Sequence, residues 1–586
     1  MAEKTRTFLS RVIDVTQHYL RPQELPFQAA ERGHVTILFG GLTWKHEMMI
    51  QSVLRRSGLQ GQRLSEPDRL AHEIGKEYCS SGLCNPAYFT VGNLLQYLRE
   101  LERTQSREEI VRNYLFFSAG SDGPCRFGAY EAEFRAALNA AGYNGFRVLG
   151  FQQQHGVKAS SGQSGMQFSV DFGMDALHAF ILGDLLNQLH RRLRPYEARE
   201  GDAERAVQAL AASVARTLEK NPYFELAEAA PRYLRPFLER HRTSRAYRIG
   251  NTAGKILNHL YGRRFLAALT RCRQQSLNGM ETDWLRVKPV VKVVGEFWAQ
   301  ETEGDGNYQM FKFLEKEGAE VSVEPISNWV LYLLHQFKQR GVFRSRMLTH
   351  IAPWKNSPLA ALKKRAAAWS KRSSFSTGEG IYLGHYARLE KALLGEAHPL
   401  PSQAELADLS DQYYNSKLRG GEGHLEVAKN LYYTKHRLCH MVLALKPFGC
   451  LPSLQSDAVQ AGLAERFPEM VFLSVETSAE GEIHAYSRVQ MALAEARVKA
   501  QDEFESALRR ARQPLASIKG FIAQPPELRS PMYKVTRRPG VISTAANFVL
   551  DVDDLMRRSG GPGSISCPDP LPGALEGQPN TLRQEA

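Results

Sequence analysis

Four short apolar runs, each ending in glycine and each leading through a loop to a segment of helical periodicity, constrain this chain more than any other feature. HVTILFGG (34–41) precedes WKHEMMIQSVLRRSG, where Met, Ile, Val and Leu recur at helical spacing. NYLFFSAG (113–120) leads to a helical stretch from 126, and GFRVLGFQ (145–152) follows as a further strand. A second block opens at 288 with KPVVKVVGEFW and continues with AEVSVEPIS (319–327), MVLALKPFG and EMVFLSVET (469–477). Apolar runs without alternation read as strands buried on both faces, and strands alternating with helices build parallel sheets. The expected class is α/β: two open parallel-sheet lobes with large helical insertions.

The stretches between the strands set the organisation. Residues 1–32 read as an N-terminal helical segment and 33–173 as the first lobe. Residues 174–285 are mostly helical, with DALHAFILGDLLNQLHRRL and ERAVQALAASVARTLEKN as examples. The second lobe with its own helical insertion spans 286–510, a C-terminal segment 511–552, and a Gly/Pro/Ser-rich disordered tail 553–586. At 586 residues the chain is too long for one ordinary domain. No apolar run of about 18 residues occurs, so no membrane span is expected. The charged N-terminal stretch lacks the apolar core of a secretory signal, and cytoplasmic residence is the expectation. The net charge of +13 comes from interleaved acidic and basic residues without a dense Lys/Arg block. That distribution argues against nucleic acid and fits an anionic ligand, such as a coenzyme A ester, or an acidic redox partner.

In a chain of this kind the seven cysteines read as reduced thiols or metal ligands. Three share one setting. Cys84 (GLCNPAYFTVGNLLQYL), Cys125 (DGPCRFGAYEAEFRAAL) and Cys450 (PFGCLPSLQSDAVQAGL) each follow a strand end or tight loop and precede a helical segment. A thiol at a helix N-terminus meets free N–H groups and the positive end of the helix dipole, so these sulfurs are expected as thiolates suited to metal or redox chemistry. No CxxC pair is present, which speaks against a zinc ribbon. Cys272 and Cys439 read as core residues, Cys567 lies in the tail, and Cys79 lies on the approach to Cys84.

The strings around these cysteines resemble the 2-hydroxyacyl-CoA dehydratase superfamily. They are most similar to the dehydratase-like portion of proteins described as acyl-CoA dehydratase activase-related, or 2-hydroxyglutaryl-CoA dehydratase activator-like. The resemblance rests on CNPAYFTVGNLLQYL (84–98), GPCRFGAYEAEFRAAL (123–138), VVGEFWAQETEGDGNYQMFKFLEKEGAEV (293–321), GEGHL (421–425), KPFGCLP (446–452) and TAANFVL (544–550). It implies an iron–sulfur cluster, a 4Fe-4S cubane or a double cubane, held by Cys84, Cys125 and Cys450. Three thiolates leave one iron of a cubane open as a Lewis acid. It also implies an ATP-hydrolysing activase that delivers a low-potential electron. This chain has no GxxxxGK[ST] loop, so the activase is expected in trans. Family dehydratases form a ketyl radical from the acyl-CoA thioester and work as two related subunits. This chain carries two lobes of its own, and a homodimer is a further expected arrangement. Glu422 and His424 in GEGHL are candidate acid–base groups or partners of the metal ligands, with a solvated loop as the alternative. GDGNY (304–308) is a candidate phosphate loop, and Arg126 a candidate to offset cluster charge, to bond a sulfur or to cap the surface. The rival functions are a double-cubane reductase of small molecules and a scaffold or regulator with structural or zinc-binding cysteines.

Overall fold

The computed structural model describes residues 24, 26–121, 123–152, 165–166, 169–351, 358–396, 398–418 and 420–559. Two separate four-stranded sheets form, all of their pairings parallel. The first holds β1 (Thr36–Phe39), β2 (Gln60–Arg63), β3 (Tyr114–Gly120) and β4 (Arg147–Gln152) in the order β2-β1-β3-β4. The second holds β5 (Val290–Gly295), β6 (Glu320–Val323), β7 (Met441–Pro447) and β8 (Phe472–Thr477) in the order β6-β5-β7-β8. The two lobes therefore repeat one plan. In each, the order reverses between the first and third strands, the place where open α/β sheets gather ligands at the carboxyl ends of their strands.

The apolar runs form strands for the expected reason. Every residue of β5 and β7 is buried, and the pair runs in register from Val291 opposite Met441 to Gly295 opposite Leu445. Two elements depart from the sequence reading. QGQR makes the edge strand β2, which has no apolar pattern; Gln51 Nε2 holds it through the Gly61 carbonyl at 2.8 Å. The run AEVSVEPIS is a strand only to Val323, because a helix begins at Ile326.

Between β4 and β5 come the helices Val170–Leu193, Asp202–Glu219, Arg245–Tyr261 and Arg263–Ser276. Between β6 and β7 come Ile326–Ile351, Pro358–Leu394, Gln403–Asp411 and Gly423–Lys435. One apolar core joins the two insertions: Leu185 and Leu189 of the first meet Leu389 and Leu393 of the second, together with Phe548 and Val549 of the helix Thr544–Arg558. That last helix corrects the tail boundary, since it runs to Arg558 inside the segment 553–586. Residues 560–586, with Cys567, and residues 1–23 lie outside the described residues, and of the segment 1–32 the described secondary structure is the turn Ala29–Glu31. Among the described residues no helix is long and apolar enough to cross a membrane.

Candidate functional site

All three helix-leading cysteines occupy helix N-caps. Cys84 caps Asn85–Leu101 and Cys450 caps Leu451–Arg466, each with proline in the first turn, where no intrahelical N–H is needed. Cys125 caps the 3-10 turn Arg126–Ala129, which runs on into the helix Tyr130–Ala140. Cys125 follows β3 and Cys450 follows β7, so the two occupy equivalent positions of the two lobes.

The loops carrying these caps touch. The Asn85 amide donates to the Phe448 carbonyl at 3.1 Å, and Asn85 Nδ2 donates to the Thr477 carbonyl at 2.8 Å. The start of the Cys84 helix is thus fastened to the ends of β7 and β8 in the other lobe. Gly449, beside Cys450, has φ +76°, and a Cβ there would stand 3.2 Å from the Leu83 carbonyl oxygen and 3.4 Å from Cys84 Cα. Within the first lobe, Arg126 Nη1 donates to the Gly82 carbonyl, tying the Cys125 turn to the Cys84 loop. Cys84 Sγ is hydrogen-bonded to the Tyr130 hydroxyl at 3.0 Å.

Glu296 is the group common to all three sulfurs. It follows β5 directly, caps the helix Phe297–Glu301, and accepts from the Ala299 amide at 2.9 Å. Its charge bears on the Cys84, Cys125 and Cys450 thiols alike. Burial pushes its own carboxyl up to about 7, with Glu426 adding to the shift. Glu422 is buried beside it and is pushed up to about 8 by burial and by Glu296 and Glu426; its Oε1 accepts from Trp329 Nε1 at 3.0 Å. Glu426 accepts from Ser453 Oγ at 2.8 Å and pairs with the buried Lys446 at 3.4 Å. Gly421 (φ +78°) lies against Pro452, so the loop bearing Glu422 rests on the start of the Cys450 helix.

The expectation of free thiolates is corrected here. None of the three sulfurs makes a capping hydrogen bond. Burial raises the Cys84 and Cys450 thiols, and burial with Glu422 pushes Cys125 up to about 12. The Ala87, Phe127 and Ser453 amides favour the respective thiolates, but by less than burial opposes them. At neutral pH, thiols crowded against carboxyls in a desolvated site keep their protons, and an added positive charge favours their release. The donor set itself, three soft sulfurs from two lobes, fits an iron–sulfur group. Among the described residues the cysteines form no group of three ligands within 4.8 Å of one another.

The other sequence candidates separate cleanly. Glu422 faces Cys125, whereas His424 packs on the Tyr332 ring at 5.1 Å and is held down to about 4 by burial, with His335, Lys429 and Asp411 as its charged neighbours. Both are buried, so the solvated-loop alternative falls. Cys79 is a C-cap, at the wrong end of its helix for thiolate stabilisation, and burial pushes it up to about 12. Cys272 sits in the large helical core and Cys439 packs beside β5 and β7. The GDGNY segment is no open phosphate cradle: Gly306 lies against the Trp298 ring, and the Asp305, Tyr308 and Gln309 amides donate to the carbonyls of Pro67, Asp305 and Gly304. Sequence reading passed over Glu296, Glu426 and Tyr130. For Glu296 a signal existed, since it follows the last glycine of a buried strand, the same kind of place that brings in Cys125 and Cys450. No protein-family profile matches this chain, and no curated protein matches it in sequence.

Proposed function

We propose that this chain is an iron–sulfur protein of the 2-hydroxyacyl-CoA dehydratase type. It takes a low-potential electron from a separate ATP-hydrolysing activase and uses it in reductive chemistry on an acyl-CoA. The observation that carries this reading is that the loops of three helix-capping cysteines, from both lobes, are fastened together through Asn85 to Phe448, Gly449 against Cys84 and Arg126 to Gly82, with the charge of Glu296 bearing on all three sulfurs. Cys84, Cys125 and Cys450 would hold the cluster, which supplies one-electron transfer and a Lewis-acidic iron. Glu296 and Glu422, carboxyls of the cysteine site whose protonated forms are favoured by burial, are the groups placed to give a proton to a departing hydroxyl and to take one back. Tyr130 orients the Cys84 sulfur, and Arg126 fixes the loop that carries it.

The test is anaerobic reconstitution followed by iron and acid-labile sulfide analysis. A cubane gives about four irons per chain and a double cubane about eight, which also separates this reading from a double-cubane reductase. Cys84→Ala, Cys125→Ala and Cys450→Ala are each expected to lose most of the iron and the brown colour, while Cys272→Ala keeps both. A colourless, iron-free wild-type protein after reconstitution overturns the proposal.

A further inference from the structure

Outside the cysteine site, the two helical insertions bring together a second group of ligand-type side chains. Asp175 and His178 lie one turn apart on the helix Val170–Leu193, His259 lies near the end of Arg245–Tyr261, and His385 lies on Pro358–Leu394. Their exposures are 0%, 0%, 6% and 1%. One ligand atom each from Asp175, His178 and His259 falls within 4.8 Å of the others. The ring of His178 stands 5.4 Å from that of His259 and 5.0 Å from that of His385.

Six polar atoms of these groups are buried without a hydrogen bond. Both ring nitrogens of His178, both of His385, Nδ1 of His259 and Oδ2 of Asp175 have no hydrogen bond. His178 and His385 turn toward the His259 and Leu260 backbones without reaching hydrogen-bond geometry, and the Leu260 carbonyl already accepts from Arg388 Nε. Buried polar atoms are normally satisfied, and so many orphaned nitrogens at one point need an explanation. An imidazole with a free ring nitrogen is the commonest side-chain metal ligand.

The surroundings match a ligand shell. His259 Nε2 meets Asp171 Oδ1 at 3.1 Å, and Asp171 is held by Lys255 at 2.7 Å. This pairing fixes the ring so that Nδ1 turns toward Asp175, as carboxylates do for metal-bound histidines. Phe265 stacks on the other side of His178 at 5.2 Å. Arg56 is the competing cation: its Nη1 takes Asp175 Oδ1 at 2.7 Å, the same oxygen that stands 3.7 Å from His259 Nδ1 and 4.0 Å from His178 Nδ1, while Asp175 Oδ2 has no hydrogen bond. Ligands of a tetrahedral zinc, at ~2.0–2.1 Å from the ion, stand about 3.3 Å apart, so side-chain shifts of about an ångström bring Asp175, His178 and His259 to that spacing; His385, whose ring centre is 5.0 Å from that of His178, lies outside this group of three and has farther to move.

We propose that Asp175, His178 and His259, with His385 as the fourth ligand, form a closed structural site for one divalent transition-metal ion, zinc by its donor type, that pins three helices of the two insertions together. Imidazole and carboxylate donors select zinc over the iron–sulfur chemistry of the thiols, and four protein ligands with no solvent access leave no open catalytic position.

The experiment uses the full chain, loaded with zinc, dialysed, and analysed for metals. About one zinc per chain is expected in the wild type and in Cys84→Ala, falling at least tenfold in His178→Phe, whose ring fills the vacated space, and in His259→Gln. Wild-type protein loaded with cobalt in place of zinc should show ligand-field bands of a tetrahedral nitrogen/oxygen site without thiolate charge transfer, a readout that does not depend on any variant folding. Absence of retained zinc in the wild type, zinc unchanged in His178→Phe, zinc lost only with cysteine substitutions, or a thiolate-type cobalt spectrum each overturns the proposal.

Discussion

Gly449 shows how a single residue position governs the cysteine site. It joins Phe448, whose carbonyl receives the Asn85 amide, to Cys450, and it does so with φ +76° and with Leu83 and Cys84 in near contact. Alanine at 449 meets two separate penalties, the left-handed backbone and the crowding against the Leu83 carbonyl. Gly540 has the same φ of +76° with open space around it, so Gly540→Ala meets the first penalty alone. Gly449→Ala is expected to lower unfolding stability by about 2–3 kcal/mol and Gly540→Ala by about 1 kcal/mol, as read from denaturant titrations. Iron per chain should drop in the first variant and hold in the second. At this scale the sequence was informative about where the thiols sit and misleading about their charge. Cap position follows from local signals, a proline and a helical period after the cysteine. Ionisation depends on what the fold packs around the sulfur, and Glu296 and Glu422 arrive from distant segments.

Strand β5 carries a lysine in the middle of a wholly buried run, Val-Val-Lys-Val-Val-Gly. Lys292 pairs with Glu324 at 2.7 Å and lies 4.3 Å from the Tyr433 ring centre, while Tyr433 and Asn328 also donate to Glu324. Burial alone would raise the Glu324 carboxyl, but Lys292 and Lys429 outweigh it and hold it at about 2. A carboxyl with a depressed folded-state value releases its proton more readily folded than unfolded. Its contribution is therefore complete above the unfolded value near 4.5 and is lost as pH falls toward 2. The shift corresponds to about 3 kcal/mol in all, of which about 2 kcal/mol is gone by pH 3. Stability curves measured at pH 7 and pH 3 should show Glu324→Gln losing less on acidification than the wild type by about that amount. Lys292→Met at pH 7 should cost about 3–5 kcal/mol, because it strands a buried carboxylate, and adding Glu324→Gln to it should recover part of the loss. The strands with continuous apolar runs were legible for the reason that they are buried on both faces. β2 was not, because an edge strand of Gln, Gly and Arg takes its conformation from pairing with β1 rather than from its own pattern.

The whole molecule is two copies of one sheet plan joined where their switch points meet, and a shared helical core makes the insertions part of one body. Segment-by-segment reading found the lobes and expected Cys125 and Cys450 to reach one site between them, but it missed the contacts that join them, since each links residues hundreds of positions apart. Asn85 is the clearest such contact. It is buried, its amide nitrogen Nδ2 holds the Thr477 carbonyl in the second lobe, and its Oδ1 faces His72 Nε2 in the first at 3.4 Å. In Asn85→Ala the backbone bond to Phe448 remains and the Thr477 carbonyl keeps the Phe448 amide at 2.9 Å, but the side-chain bond between the lobes is gone and His72 loses its partner, at a cost of about 1–2 kcal/mol. The loss falls on the lobe junction rather than on either sheet, so its effect belongs in the kinetics of opening. Iron transfer to an external chelator should run at least fivefold faster in Asn85→Ala than in the wild type, with the initial iron content and the far-ultraviolet dichroism unchanged. Equal transfer rates would mean that the junction at Asn85 does not hold Cys84 against Cys450, and that the Gly449 contact and the shared helical core carry the lobe alignment without it.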